Sequence, residues 1–234
     1  MNKMCKLSAV ALFASSTSLM AQSKSFEGVS LGLSASAIGV EVAGSTTNSA
    51  GSANGSLGKT AEIAAIDFSY GYALGPNGII QVGASYTPGK AKAGSGQYTD
   101  SQTSTNETSG DLDGKINLEV KDPYTIYIAP TYVVSKDAAV YFKVGYSKAD
   151  VNTSAVGTGA VLSKKPGDLE GMTYGIGSKI MLTPNLYLGV EANMTDYDTV
   201  TATQAAVSKG STAAKTIRAD VNTVQGVVTI GYKF

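Results

Sequence analysis

Val224-Gln225-Gly226-Val227-Val228-Thr229-Ile230-Gly231-Tyr232-Lys233-Phe234 is the stretch whose reading decides the fold. Its even positions read Val, Gly, Val, Ile, Tyr, Phe. Its odd positions include Gln, Thr, Gly and Lys, with Val227 the apolar exception. Side chains alternate across a strand, so one face is apolar and the other mostly polar. In a soluble protein a terminal strand frays or forms an exposed edge. An apolar face that ends on an aromatic residue predicts instead the closing strand of a barrel whose outside meets lipid.

Seven further segments share this period of two. With the last they span about 27–42, 61–72, 79–87, 115–134, 139–151, 171–182, 186–195 and 217–234. In the second, Ala64, Ile66, Phe68, Tyr70 and Tyr72 oppose Asp67, Ser69 and Gly71. In the fifth, Val140, Phe142, Val144 and Tyr146 oppose Tyr141, Lys143, Gly145 and Ser147. The first is irregular. Its apolar set begins Leu31, Leu33, Ala35, Ala37 and continues Ile38, Val40, Val42. Kept facing lipid throughout, that switch of parity predicts a β-bulge at Ala37–Ile38.

The connections alternate in length. Three are short, at 73–78, 135–138 and 183–185, and carry turn residues such as Pro76-Asn77-Gly78 and Thr183-Pro184-Asn185. Four are long, at about 43–60, 88–114, 152–170 and 196–216. The long ones are rich in Ser, Thr, Gly and Asn and read as flexible, solvated surface loops. Short turns at one end and long loops at the other are the organisation of an eight-stranded antiparallel up-and-down transmembrane β-barrel, an all-β fold. Tyrosines fall at both ends of the apolar spans. Tyr72, Tyr132, Tyr232 and Phe234 lie near short-turn ends, and Tyr86, Tyr124, Tyr146 and Tyr174 near long-loop ends. That placement predicts two aromatic girdles.

Residues 1–21 carry Lys3 and Lys6, then an apolar run from Leu7 to Ala14, then Leu19-Met20-Ala21. This layout predicts a cleaved export signal, with 22–234 as the barrel domain. Its removal takes away two lysines and no acid, leaving 16 basic against 18 acidic residues. Such a balance gives no reason to expect a nucleic-acid partner. Cys5 is the single cysteine, and histidine is absent. A mature chain without either residue has no disulfide framework and lacks the commonest general base and metal ligand. No catalytic, cofactor-binding or metal site is expected. No segment holds 18 consecutive apolar residues, so any crossing of a membrane must be made by strands.

The face opposite the apolar one includes Asp67, Gln81, Lys143, Lys179 and Glu191, with Thr125 and Tyr127. Eight strands leave an interior just wide enough for side chains to fill. Charges there are costly unless paired, so Asp67, Lys143, Lys179 and Glu191 are expected to form an ion-pair network. Lys179 and Glu191 lie on neighbouring strands across the 183–185 turn and are the expected direct pair. Pro123 is expected above the membrane and Pro130 near the short-turn rim or at a bulge.

Two segments carry a family resemblance. Tyr124-Thr125-Ile126-Tyr127-Ile128-Ala129-Pro130-Thr131-Tyr132, the Lys136-Asp137 turn and Ala139-Val140-Tyr141-Phe142-Lys143-Val144-Gly145-Tyr146-Ser147 resemble the small Gram-negative outer-membrane barrels of the OmpX/Ail and opacity-protein type. The terminal Tyr232-x-Phe234 is similar to that family's assembly signal. In the usual signal a glycine precedes the penultimate aromatic position by three residues; here that site is Thr229, and Gly231 is displaced. The resemblance implies residence in the outer membrane and insertion by the barrel-assembly machinery. It implies lipids and lipopolysaccharide as surroundings and an extracellular ligand met through the loops. The enzymes known on such barrels need a catalytic histidine, which this chain lacks, so it is expected not to be an enzyme. Fold does not fix function. The expected role is a non-enzymatic structural or surface-interaction barrel with four long extracellular loops and a side-chain-filled lumen. The alternative is a small porin-like channel for ions or small solutes.

Overall fold

A computed structural model describes residues 23–48, 51–100, 112–156, 162–164, 166–204 and 215–234. The proposed export signal at 1–21 lies outside them. A short 3-10 turn, Ser23–Phe26, leads into the strands. These are β1 (Gly28–Asn48), β2 (Gly51–Ala73), β3 (Gly78–Tyr86), β4 (Lys90–Asp100), β5 (Leu112–Ser135), β6 (Ala138–Val156), β7 (Leu162–Lys164), β8 (Leu169–Met181), β9 (Leu186–Tyr197), β10 (Val200–Gln204) and β11 (Lys215–Lys233).

Eight of them close the wall in the order β1, β2, β3, β5, β6, β8, β9, β11. The last pairs antiparallel with the first, from Ser30↔Lys233 to Thr47↔Thr216. This ladder removes both sheet edges, which a barrel in hydrocarbon requires because no water is there to satisfy free N–H and C=O groups. β4, β7 and β10 extend the wall at the long-connection end, where β4 pairs with β5 and β10 with β11 and β7.

The outside of the barrel is apolar over a belt. Leu33 is 62% exposed, Ile126 59%, Ile176 62% and Ile230 52%. Each such side chain left in water forfeits roughly 1.5–3 kcal/mol of burial, so a belt of them needs a lipid surround. Tyr72, Tyr132, Tyr232 and Phe234 flank the belt at the short-turn end, where the rings of Tyr232 and Phe234 meet edge to face at 5.0 Å. Tyr86, Tyr124, Tyr146 and Tyr174 flank it at the other end.

Two expectations need correction. First, β1 has no bulge at Ala37–Ile38: its register with β2 and with β11 runs unbroken through those residues. Leu31, Leu33, Ala35 and Ala37 point outward, whereas Ile38, Val40 and Val42 are half-buried on the inner side, where Val40 and Val42 pack against Ala149, Leu169 and Val221. The strand keeps its parity while its surroundings change. Beyond the tyrosines the outside is water, so apolar side chains turn to the inside. The same inversion occurs on β6, where Lys148 and Asp150 face out and Ala149 and Val151 face in. On β11, Arg218, Asp220 and Asn222 face out and Val221 faces in.

Second, much of the described part of the long connections is ladder. The 43–60 segment is the tip of a β1–β2 hairpin paired through Asn48↔Gly51. The 88–114 segment is largely a β4–β5 hairpin paired from Lys90↔Lys121 to Asp100↔Leu112. Alternating Ser, Thr, Gly and Ala carries no strong apolar period, so these strands were not legible as strands.

Pro123 sits in a register shift of β5 between Lys121 and Tyr124, where Asp122 has a φ of 48°. Pro130 faces outward opposite Ile80, two residues from Tyr132, and the β5–β6 register resumes unchanged past it.

Ile128 lies midway between Tyr124 and Tyr132 on the outer face. Ile128→Arg is expected to destabilise the refolded barrel by about 2–4 kcal/mol. Asp150→Arg, outward but beyond the girdle, should cost within about 0.5 kcal/mol. Urea unfolding in phosphatidylcholine vesicles reads both, and equal costs would contradict the assigned lipid belt.

Candidate functional site

The inner face is layered along the barrel axis. At the short-turn end the Ser23–Phe26 turn tucks beneath the wall, with the Ser23 amide donating to the Pro76 carbonyl at 3.0 Å. Phe26 then packs with Ile79, Val133, Ala139, Met181 and Tyr187, all buried. This apolar cluster sits inside the wall at that end.

The next layer carries the charges. Glu191 accepts from Lys143 at 2.7 Å, from the Tyr141 hydroxyl at 2.7 Å and from Asn193 Nδ2 at 2.6 Å. Asp67 accepts from the Tyr127 hydroxyl through both carboxylate oxygens, at 2.9 and 3.0 Å. Lys143 also lies over the Tyr127 ring, 4.2 Å from its centroid. Lys179 donates to Gln81 Oε1 at 3.1 Å and lies over the Tyr187 ring at 4.9 Å. The four expected charges therefore share one layer, with a changed partnership: Glu191 binds Lys143 rather than Lys179, and Lys179 rests on an amide and aromatic faces. Lys143 and Glu191 are on β6 and β9, two strands apart. In a narrow lumen the side chains reach across the bore, so sequence adjacency does not select the partner.

Tyr127 and Tyr141 make this reach to Asp67 and Glu191, and Tyr187 lies the same way with its hydroxyl beside Gly32. Each stands directly opposite an inward glycine in its ladder: Tyr127 opposite Gly83, Tyr141 opposite Gly177 and Tyr187 opposite Gly231. A Cβ at Gly83, Gly177 or Gly231 would collide with the ring of Tyr127, Tyr141 or Tyr187 respectively. Only glycine lets these rings lie flat on the neighbouring strand, which carries their hydroxyls along the wall to the strand beyond it. The signal was present in the sequence as inward tyrosines and inward glycines on adjoining strands. Matching them needed the register.

Above the charges runs a line of hydroxyls that sequence reading missed. Thr125 meets Ser147 at 2.6 Å, Ser147 meets Thr173 at 2.5 Å and Thr173 meets Thr195 at 2.7 Å. Gln225 Nε2 donates to Ser36 at 2.7 Å on the other side of the bore. Higher still the inner wall turns apolar, and a cavity of about 300 Å³ opens there. Among the described residues no cluster could hold a metal ion.

The rim beyond the tyrosines carries its own ion pairs. Lys148 bridges Glu170 at 2.8 Å and Asp168 at 3.3 Å. The Lys148 ammonium holds the Glu170 carboxyl below its ordinary range. Asp122, in the β5 register shift, accepts from the Gly89 amide at 2.9 Å. That bond, helped by Lys121, likewise holds its carboxyl below the usual range. Depressed carboxylates stabilise above their unfolded pKa and lose that contribution as pH falls through the folded value. These exposed contacts accordingly weaken in acid.

The sequence matches the family of the outer membrane protein beta-barrel domain over residues 9–234. No curated protein matches the chain. Among solved structures, the outer membrane protein OprG from Pseudomonas aeruginosa superposes with a TM-score of 0.57 at 14% identity, covering 89% of this chain and 97% of that one. At that identity the likeness is one of fold. Looser likenesses are to the attachment invasion locus protein Ail of Yersinia pestis, with a TM-score of 0.40, 14% identity and coverage of 87% and 99%. Another is the outer membrane protease OmpT from Escherichia coli, with a TM-score of 0.48, 10% identity and coverage of 88% and 96%.

Lys143 and Glu191 are 10% and 7% exposed, so removing one strands the other in a nearly dry layer. Lys143→Met and Glu191→Leu are each expected to destabilise by about 3 kcal/mol, while the double variant stays within about 1 kcal/mol of the parent. Urea unfolding of the three variants tests this; additive losses would show that the pair does not act as a unit. Gly177→Val should cost about 1–3 kcal/mol by driving the Tyr141 ring off the wall.

Proposed function

Since the chain belongs to the outer membrane protein beta-barrel domain family and resides in the outer membrane, we propose that it is a non-enzymatic surface barrel with a plugged lumen. The observation that carries this reading is the pair of consecutive closures inside the wall. The Phe26 cluster packs inside the short-turn mouth, and the charged layer above it joins β6 to β9 through Lys143–Glu191 and β8 to β3 through Lys179–Gln81. An eight-stranded bore leaves little room beyond such side chains. In this reading the short turns face the periplasm and the long hairpins face outward, the usual orientation of such barrels.

The chain is then exported through a signal at 1–21 and inserted by the barrel-assembly machinery, with Tyr232 and Phe234 as the terminal signal. Lipids and lipopolysaccharide contact the apolar belt and the two aromatic girdles. The hairpins beyond the girdle, including β1–β2 and β4–β5, form the surface that meets an extracellular ligand. The absence of histidine supports a role without catalysis.

A narrow channel is the second reading. On its side stands a void of about 40 Å³ within the charged layer, bounded by Asp67, Gln81, Tyr127, Lys179 and Glu191. That is room for about one water. A conducting path would also need the Phe26 turn to withdraw from the mouth.

Planar-bilayer recording of the refolded chain decides between them. The parent is expected to show no steady conductance, and a Phe26→Ala/Tyr141→Ala double variant to open a measurable path. Steady, sizeable conductance by the parent would overturn the plugged lumen.

A further inference from the structure

The charged layer holds two different kinds of partnership. Lys143 and Glu191 meet directly, at 2.7 Å. Asp67 and Lys179 make no ion pair among the described residues. Asp67 takes the Tyr127 hydroxyl, and Lys179 donates to Gln81 Oε1 and rests on the rings of Tyr187 and Tyr141, at 4.9 and 5.8 Å. The two stand on β2 and β8, four strands apart whichever way the closed wall is followed. They therefore face each other across the full bore. A carboxylate accepts on both oxygens and an ammonium carries three donors, so each has bonding capacity left over.

The void of about 40 Å³ in this layer is bordered by both of them, and by Ser34, Gln81, Gly189 and Thr229. Its origin is a glycine. At Gly83, Gly177 and Gly231 a tyrosine ring lies where a side chain would stand. Gly189 also faces inward, between outward Leu188 and Val190, but no ring lies over it. A Cβ there would meet Thr229 Cβ at 3.5 Å, the Ser178 carbonyl at 3.7 Å and Lys179 Cγ at 3.9 Å, all ordinary contacts. The wall has room for a side chain at 189 and carries none. A space of this volume takes about one water, provided that polar groups border it. Two ammonium groups, Lys143 and Lys179, and two carboxylates, Asp67 and Glu191, lie on that border. A cation would face the lysines and an anion the acids. A neutral molecule that both accepts and donates meets neither repulsion.

We propose that this space is the site of one resident water that joins Lys179 to Asp67 across the bore, accepting from the ammonium and donating to the carboxylate. Gly189 keeps the place open for it. The layer then has two bridges between opposite charges, a direct one from β6 to β9 and a water-mediated one from β8 to β2. A bridging water is nearly as good as a direct hydrogen bond, and it leaves neither buried charge stranded. The second bridge spans strands that no ladder connects, so it braces the wall across its widest separation. The proposal deepens the plugged-lumen reading and rests on it, because a water confined in the layer does not belong to a continuous column through the bore.

The test joins a crystal structure of the refolded barrel to urea unfolding of variants in phosphatidylcholine vesicles. One ordered water within hydrogen-bond reach of both the Lys179 ammonium and an Asp67 carboxylate oxygen is expected. Gly189→Val fills the space and is expected to raise the unfolding equilibrium constant about fivefold or more, against the gain that valine ordinarily brings to a strand. Gly189→Ser offers a hydroxyl in place of the water and is expected to stay within about threefold of the parent. Lys179 and Asp67 in direct contact would overturn the site. An anomalous peak between them in crystals grown in bromide would also overturn it, by making the guest an anion. So would a Gly189→Val barrel at least as stable as the parent; should that variant fail to refold, the parent crystal structure decides alone. Conductance of the parent separates the two readings. A conducting barrel that shows the bridging water sinks the plug and keeps the site, whereas a silent barrel with no water between Lys179 and Asp67 sinks the site and keeps the plug.

Discussion

The ladder between β1 and β11 is the constraint on which the rest of this structure depends. Without it, two strands would present unpaired backbone groups to hydrocarbon, each costing several kcal/mol. Closure fixes the number of strands around the wall, and the number of strands fixes the bore. The bore in turn decides which side chains meet. Lys143 finds Glu191 two strands away because the interior is narrow enough to cross. Tyr141 completes the layer because Gly177 leaves it room to lie against the wall.

Solvent, rather than strand geometry, sets which face is apolar. Within the belt, apolar side chains face out to lipid and polar ones face in. Past Tyr86, Tyr124, Tyr146 and Tyr174 the outside is water, and the preference reverses with no break in β1. The consequence is an apolar cluster of Ala149, Leu169 and Val221 with Val40, Val42 and Val120 at the outer end of an otherwise polar lumen. β5 does the opposite: it does shift its register, at Asp122-Pro123, and thereby keeps Val120 on the inside with Leu169 and Val221. The same turn carries β4 onto β5, and among the described residues β4 makes no ladder with β2.

The layers divide the work of the molecule. The Phe26 cluster and the charged layer occupy the short-turn half of the interior. The hydroxyl line lies above them, with groups that satisfy one another. Beyond it, paired hairpins carry the wall past the girdle. A Ser/Thr/Gly-rich hairpin of this kind is held by backbone ladder pairs rather than by an apolar side-chain period.

The amino-acid sequence by itself determined the barrel. Period-two alternation in eight segments, the short turns and the tyrosines at both ends of the apolar spans are local properties, and each is imposed residue by residue by lipid on one side of a strand. It also determined that Asp67, Lys143, Lys179 and Glu191 share the interior, since their parity opposes Phe68, Phe142, Ile180 and Val190. Only the tertiary structure decided who pairs with whom, because contacts across a bore join residues that no ladder makes neighbours. It alone decided that Ile38, Val40 and Val42 face inward, because that depends on where the membrane stops. And it alone showed the hairpins, because in alternating small polar residues the pairing energy lies in backbone hydrogen bonds, which leave almost no mark on side-chain pattern.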